Sequence, residues 1–230
     1  LKVITWLLSK APKTTKTTAY HQLQVDILVR LKSPSRLDAG LQRIVSFYQP
    51  GSAWMRANRS RPAVAAAGRQ LAEKAMAYVA TYYHREGKRA AKEDLLRRAV
   101  DKYRAFLRRF PKSKQRVSMA FYLAELLRGF KRYDEAAKHY GVAADAGSKY
   151  REDAAFQRVF CLARLLASKG LDRPVPSSVG TQKVPRTPLQ PLEKRFVAAS
   201  DAFAQSYPKS KDTPSVLFKA ARIFYDRGPL

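Results

Sequence analysis

One eight-residue pattern occurs four times in this chain, and that recurrence narrows the possible folds more than any other feature. AYVATYYH at 77–84 returns as FYLAELLR at 121–128, FCLARLLA at 160–167 and FKAARIFY at 218–225. Each copy holds an alanine in the same place (Ala80, Ala124, Ala163, Ala221) and a large residue three positions on (Tyr83, Leu127, Leu166, Phe224). On a helix such a pair lies along one side, so the small residue admits a neighbouring helix closely and the large one fills the contact. After three of the copies a second apolar series follows: Ala99 to Tyr103, Ala136 to Tyr140, and Phe196 to Ser200. The pattern predicts helix pairs stacked on one another.

The rest of the chain reads as helix too. Residues 62–86 are rich in alanine, with Pro62 suited to a first helical position and Gly87 to a stop. Between 92 and 110, Leu95, Leu96, Ala99, Tyr103, Phe106, Leu107 and Phe110 recur at spacings of three and four, then Pro111 ends the run. Further helices are predicted near 115–129, 133–145, 150–168, 191–206 and 213–227, and no strand is predicted anywhere. With 46% apolar residues over 230 positions the chain can bury a real core, so the predicted fold class is all-α.

The residues that carry this pattern resemble the tetratricopeptide repeats. In FYLAELLRGFKRYDEAAKHYGVAADAG (121–147), Leu123, Ala124 and Leu127 fit the first-helix positions of that family, the string from Tyr133 to Ala136 opens the second helix, and Tyr140 and Ala143 fill its inner face. The family's closing proline is matched by Pro111 in RRFPKSK and Pro208 in QSYPKSK, and by Pro50 if 18–32 and 37–52 form an earlier pair. The resemblance implies a right-handed α-solenoid of about four to five antiparallel helix pairs. The organisation expected from it is an N-terminal degenerate repeat (1–60), core repeats (61–169), a proline-rich loop insertion (170–190) and a last repeat cut short (191–230). The recurring alanines are 44, 39 and 58 residues apart, against a family period of about 34. The first excess is assigned to the polar stretch 87–93 and the largest to 170–190, with Pro174, Pro176, Pro185 and Pro188, which is either a flap touching a partner or a mobile loop. The chain starts at Leu1 and stays helical nearly to its last residues, so it is expected to be a piece of a longer protein.

The residue inventory points away from catalysis. His21, His84 and His139 are far apart and share no metal-binding spacing. The single cysteine, Cys161, lies between Phe160 and Leu162 in a core-like string and reads as a small buried apolar residue. His84 reads as a partly exposed surface histidine. No GxxxxGK[ST], GxGxxG or GxSxG string is present. Neither an enzymatic activity nor a cofactor is expected.

A stacked repeat displays its first-helix side chains on a concave face. By the family's register, one row there is Ala77, Phe121, Phe160 and Phe218; the next is Thr81, Glu125, Arg164 and Arg222; the third is His84, Arg128, Ala167 and Tyr225. An aromatic row beside a largely basic one suits an extended peptide or protein with acidic groups. Charge supports an acidic partner from a separate direction. The net +27 is spread along the chain, with +8 in 1–60, +8 in 61–110, +6 in 111–169 and +5 in 170–230. Such a field draws in polyanions, so an anionic polymer or a nucleic acid is the competing partner, although no RNA-binding or DNA-binding motif accompanies it. No apolar run is long enough for a membrane span. The arrangement AVDKYRAFLRRFPKS, FYLAELL, YDEAAKHY is most similar to bacterial cell-envelope repeat scaffolds. Examples are the coordinator of cell division associated with Tol-Pal and the periplasmic repeat proteins of gliding machines. That likeness implies a noncatalytic adaptor of the periplasm or envelope; a cytoplasmic location is the alternative.

Overall fold

A computed structural model describes residues 2–11, 13–31, 34–145, 149–172 and 187–226. Eleven helices account for most of these residues, and no strand occurs among them: α1 (Lys2–Lys10), α2 (Thr17–Arg30), α3 (Pro34–Phe47), α4 (Ala53–Ala57), α5 (Pro62–Arg89), α6 (Glu93–Arg109), α7 (Arg116–Gly129), α8 (Tyr133–Asp145), α9 (Arg151–Ser168), α10 (Pro191–Ser206) and α11 (Thr213–Asp226). The protein is all-α, as the sequence predicts. It divides into two compact units, Leu1–Arg116 and Val117–Leu230. The boundary falls inside the 61–169 span that the sequence assigns to the core repeats.

The helix ends follow from local chemistry. Pro62 and Pro191 open α5 and α10 at positions whose amide has no intrahelical acceptor to lose. Gln190 and Glu193 form a reciprocal cap at the start of α10, where the Gln190 amide donates to Glu193 Oε2 at 2.7 Å. Acidic pairs occupy the first turns of α6 (Glu93, Asp94), α8 (Asp134, Glu135) and α9 (Glu152, Asp153), while Arg108 and Arg109 close α6, all favourable to the helix dipole.

In the first unit α5 packs against α3 and α6, and α2 packs against α1, α3 and α5. The N-terminal segment holds α1 and α4 beside the helices expected over 18–32 and 37–52. α1 was not expected; α3 stops at Phe47, three residues before Pro50; and Gly51, at φ 79°, turns the chain into the short α4, capped by Ser52. α4 then clamps the α1–α2 connection: Trp54 Nε1 donates to the Thr14 carbonyl at 3.2 Å and Asn58 Nδ2 to that of Lys13 at 3.2 Å. Its Trp54 ring meets Tyr48 edge to face at 4.7 Å, and both rings close over Gly68 of α5, where an added Cβ would lie 2.6 Å from Tyr48 Cδ1 and 2.7 Å from Trp54 Cζ3.

Two kinds of connection are each built more than once. Where α6 and α10 end, Phe110 and Tyr207 donate their amides to Phe106 and Phe203, Ser113 and Ser210 donate to Phe110 and Tyr207, and Arg116 and Thr213 donate to Ser113 and Ser210. The backbone of Phe110 (φ −125°, ψ 63°) and that of Tyr207 (φ −134°, ψ 59°) agree, and each ring lies 5.4 Å from the aromatic ring four residues earlier. Both PKSK tetrapeptides therefore fold into the same turn. Where α5, α7 and α9 end, the left-handed residues are Ala91 (φ 49°), Lys131 (φ 59°) and Gly170 (φ 67°). Each is followed by an amide reaching five residues back: Lys92 to Gly87, Arg132 to Leu127 and Leu171 to Leu166. This is one helix-ending motif used three times.

These turns correct the sequence register. The left-handed residues are 40 residues apart (91 to 131) and then 39 (131 to 170). Ala124 and Ala163 each precede their turn by seven residues, but Ala80 precedes Ala91 by eleven. The extra length is therefore inside α5, which runs through Gly87 to Arg89, and not in the polar stretch 87–93. Ala80 and Ala124 are fully buried and Ala163 is half-buried, whereas Ala221 is exposed and the buried series of α11 is Val216, Ala220 and Ile223. The expected loop insertion 170–190 lies largely outside the described residues.

Candidate partner-binding surface

Glu125 and Arg128 stand one turn apart on α7, so their side chains share a face, and Arg128 donates to Glu125 Oε2 at 3.2 Å. Tyr140, which is fully buried on α8, donates its hydroxyl to Glu125 and accepts from Arg128 Nε at 3.2 Å. Burial and the neighbouring carboxylate push the tyrosine hydroxyl well above its ordinary pKa. α9 adds Asp153, whose carboxyl is pushed up by burial and then by the Glu125 charge, against a hydrogen bond from Gln157. The sequence flagged Glu125 and Arg128 but not Asp153; its first-turn position on α9 was the available signal. Cys161, on the same helix, is fully buried, and burial pushes its thiol up to about 12, which keeps it protonated and unreactive.

The aromatic row does not form a uniform display. Phe121 is only 8% exposed, stacked on Tyr150 at 4.4 Å with 15° between the rings and set against Tyr140 at 5.9 Å. It is a packing residue, because the α8–α9 connection brings Tyr150 over it. Phe160 is 37% exposed, Phe218 70% and Tyr225 80%, the last two on α11, which also exposes Leu217. Arg164 and Arg222 are exposed, with the Arg164 guanidinium 5.8 Å from the Tyr133 ring centroid.

The two positions in the first unit are engaged internally. The Thr81 hydroxyl donates to the carbonyls of Ala77 and Tyr78, both at 3.0 Å. His84 is 9% exposed and shares a hydrogen bond of 3.0 Å with Tyr103 of α6, ring edge to ring face. It is a buried interhelix residue rather than a partly exposed surface one, because α6 covers the extra turn of α5 on which it sits. A groove between α2 and α5, lined by Val25, Val29, Leu71 and Tyr78 with Asp26 and Lys74, was not signalled by the repeat pattern.

Among the described residues no group of His, Cys, Asp and Glu is placed to hold a metal ion, and no helix is long and apolar enough to cross a membrane. No protein-family model matches the chain, and comparison with curated proteins finds no match.

Proposed function

We propose that this protein is a noncatalytic scaffold of the tetratricopeptide kind, in which helix pairs stack as a right-handed solenoid and a concave face holds a protein or peptide partner with acidic groups. The observation that carries this reading is the reuse of connections: one helix-ending motif at Ala91, Lys131 and Gly170, and one PKSK turn at Phe110 and Tyr207. Repeated turns of fixed geometry hold successive helices in repeated orientations, which is how stacked repeats generate an extended surface. Phe160, Arg164, Phe218, Arg222 and Tyr225 are exposed on the expected face, with Glu125 and Arg128 at its polar part. The net charge of +27 steers acidic partners toward it. A place in a bacterial envelope complex follows from the likeness of the repeats to envelope scaffolds.

Replacing Phe160, Phe218 and Tyr225 together with serine tests this. Capture of the partner from native cells should be lost while the circular dichroism stays helical; undiminished capture by the triple variant rejects the surface. The charge also supports a second reading, a basic helical array that binds RNA. Filter binding across a salt series separates the two, since phosphate neutralisation gives affinity that falls steeply with salt.

A further inference from the structure

Between α8, α9 and α10 the second unit has a half-open cavity of about 220 Å3 that the repeat architecture does not require. It is larger than one ordered water needs. Its apolar wall is Phe203 with the small residues Ala155 and Ala199, and its polar lining includes Arg158, Arg151, Asp145 and Tyr207. Two guanidiniums against one carboxylate leave the lining cationic.

The repeats supply an internal comparison. Measured back from the left-handed residue, Arg158 stands twelve positions before Gly170, and Met119 stands twelve before Lys131. Met119 is buried, so this place on the helix is satisfied by an apolar side chain; α9 instead puts a half-buried guanidinium there. Gly141 of α8 lies against it, and a Cβ there would meet Arg158 Cζ at 3.4 Å, an ordinary contact. Among the described residues no acidic side chain pairs with Arg158. Tyr207 shows the same departure. Phe110 builds the identical turn without a hydroxyl, yet the Tyr207 hydroxyl is buried with no hydrogen-bond partner. An orphaned buried hydroxyl and an unpaired half-buried guanidinium both cost stability unless something else satisfies them.

We propose that this cavity binds a small organic oxyanion, a carboxylate or phosphate carried on an apolar body, with Arg158 as its anchor and Phe203 against the apolar part. Arg151 at the rim adds attraction, and Asp145 disfavours a second anionic group on that side. The inference does not depend on the partner-binding reading, as none of these residues belongs to the expected concave rows.

The test is titration of the whole chain with benzoate and, separately, phenyl phosphate, followed by amide chemical shifts at physiological salt. Saturable shifts confined to residues around Arg158, Phe203 and Tyr207 are expected, and the tighter probe identifies the head group. Arg158→Met and Tyr207→Phe import the residues that the other repeat already carries, so both should fold. The first should weaken binding by about tenfold or more, and the second, whose hydroxyl is sealed from the cavity, by less than about twofold. Lys194→Gln, which removes an exposed charge from α10, should change nothing. Equal losses in all three variants would show only diffuse attraction to a basic protein and overturn the site. So would the absence of saturation with either probe up to about 10 mM, an affinity too weak to count as a site and the behaviour of a cavity that holds water only.

Discussion

Lys102 Nζ lies 2.7 Å from Asp38 Oδ1, an ion pair that ties α6 to α3 across 64 residues of sequence. Asp38 also accepts from the Tyr83 hydroxyl of α5 at 3.1 Å and from Gln42 at 2.9 Å. One carboxylate thus joins three helices of the first unit, with both members of the ion pair about four-fifths covered. Asp38→Ala leaves the ammonium and the phenol without their acceptor and should destabilise the unit by about 2 kcal/mol. Urea unfolding measures it, and a smaller loss in a Lys102→Met background would show the coupling.

His21 is buried and hydrogen-bonded through Nδ1 to the Tyr48 hydroxyl at 2.8 Å, and burial lowers its pKa to about 4. The unfolded chain titrates this group near 6.5. Between those values the unfolded state binds more protons, so the contribution is whole above pH 6.5, falls as pH drops and levels off near 4. The full swing is roughly 3 kcal/mol. The measurement is the difference in unfolding free energy between wild type and His21→Gln at several pH values, which should narrow on acidification.

Ala91 and Lys131 hold left-handed backbone that a Cβ disfavours, at the place where the third copy uses Gly170. Ala91→Gly and Lys131→Gly should each stabilise by about 0.5–1 kcal/mol, and Gly170→Ala should destabilise by a similar amount. Thermal melts of the three variants check the sign at each turn.

Gly68→Ala should be among the more damaging small substitutions, because the new methyl would press on the Tyr48 and Trp54 rings at 2.6–2.9 Å. Neither ring has a flexible end to move aside. A loss of about 1–3 kcal/mol is expected, read by denaturant unfolding with Trp54 fluorescence as the probe.

Helices and their ends were legible in the sequence because capping residues, prolines and apolar spacing act locally: 133–145 and 191–206 are reproduced to the residue. Register was less so. Residues four apart share a helix face, so the string at 77–84 matches its counterparts even though it lies one turn further from its closing bend. In α11 the register is off by a single residue: the inward alanine is Ala220, the neighbour of the one the pattern marks and on a different face of the helix. For the surface, side-chain type did not determine exposure. Phe121 and Phe218 occupy equivalent places in the strings, yet Tyr150 covers only the first. Long-range partners such as Tyr103 for His84, or Thr14 for Trp54, leave no local mark at all.

The clamp of α4 on the α1–α2 connection bears on how the chain is made. As synthesis proceeds from the N-terminus, the carbonyls of Lys13 and Thr14 must wait some 40 residues for Asn58 and Trp54. Trp54 in turn completes its packing only once Gly68 has emerged to receive its ring. This corner therefore cannot close until the start of α5 has been made, whatever the order in which its helices form.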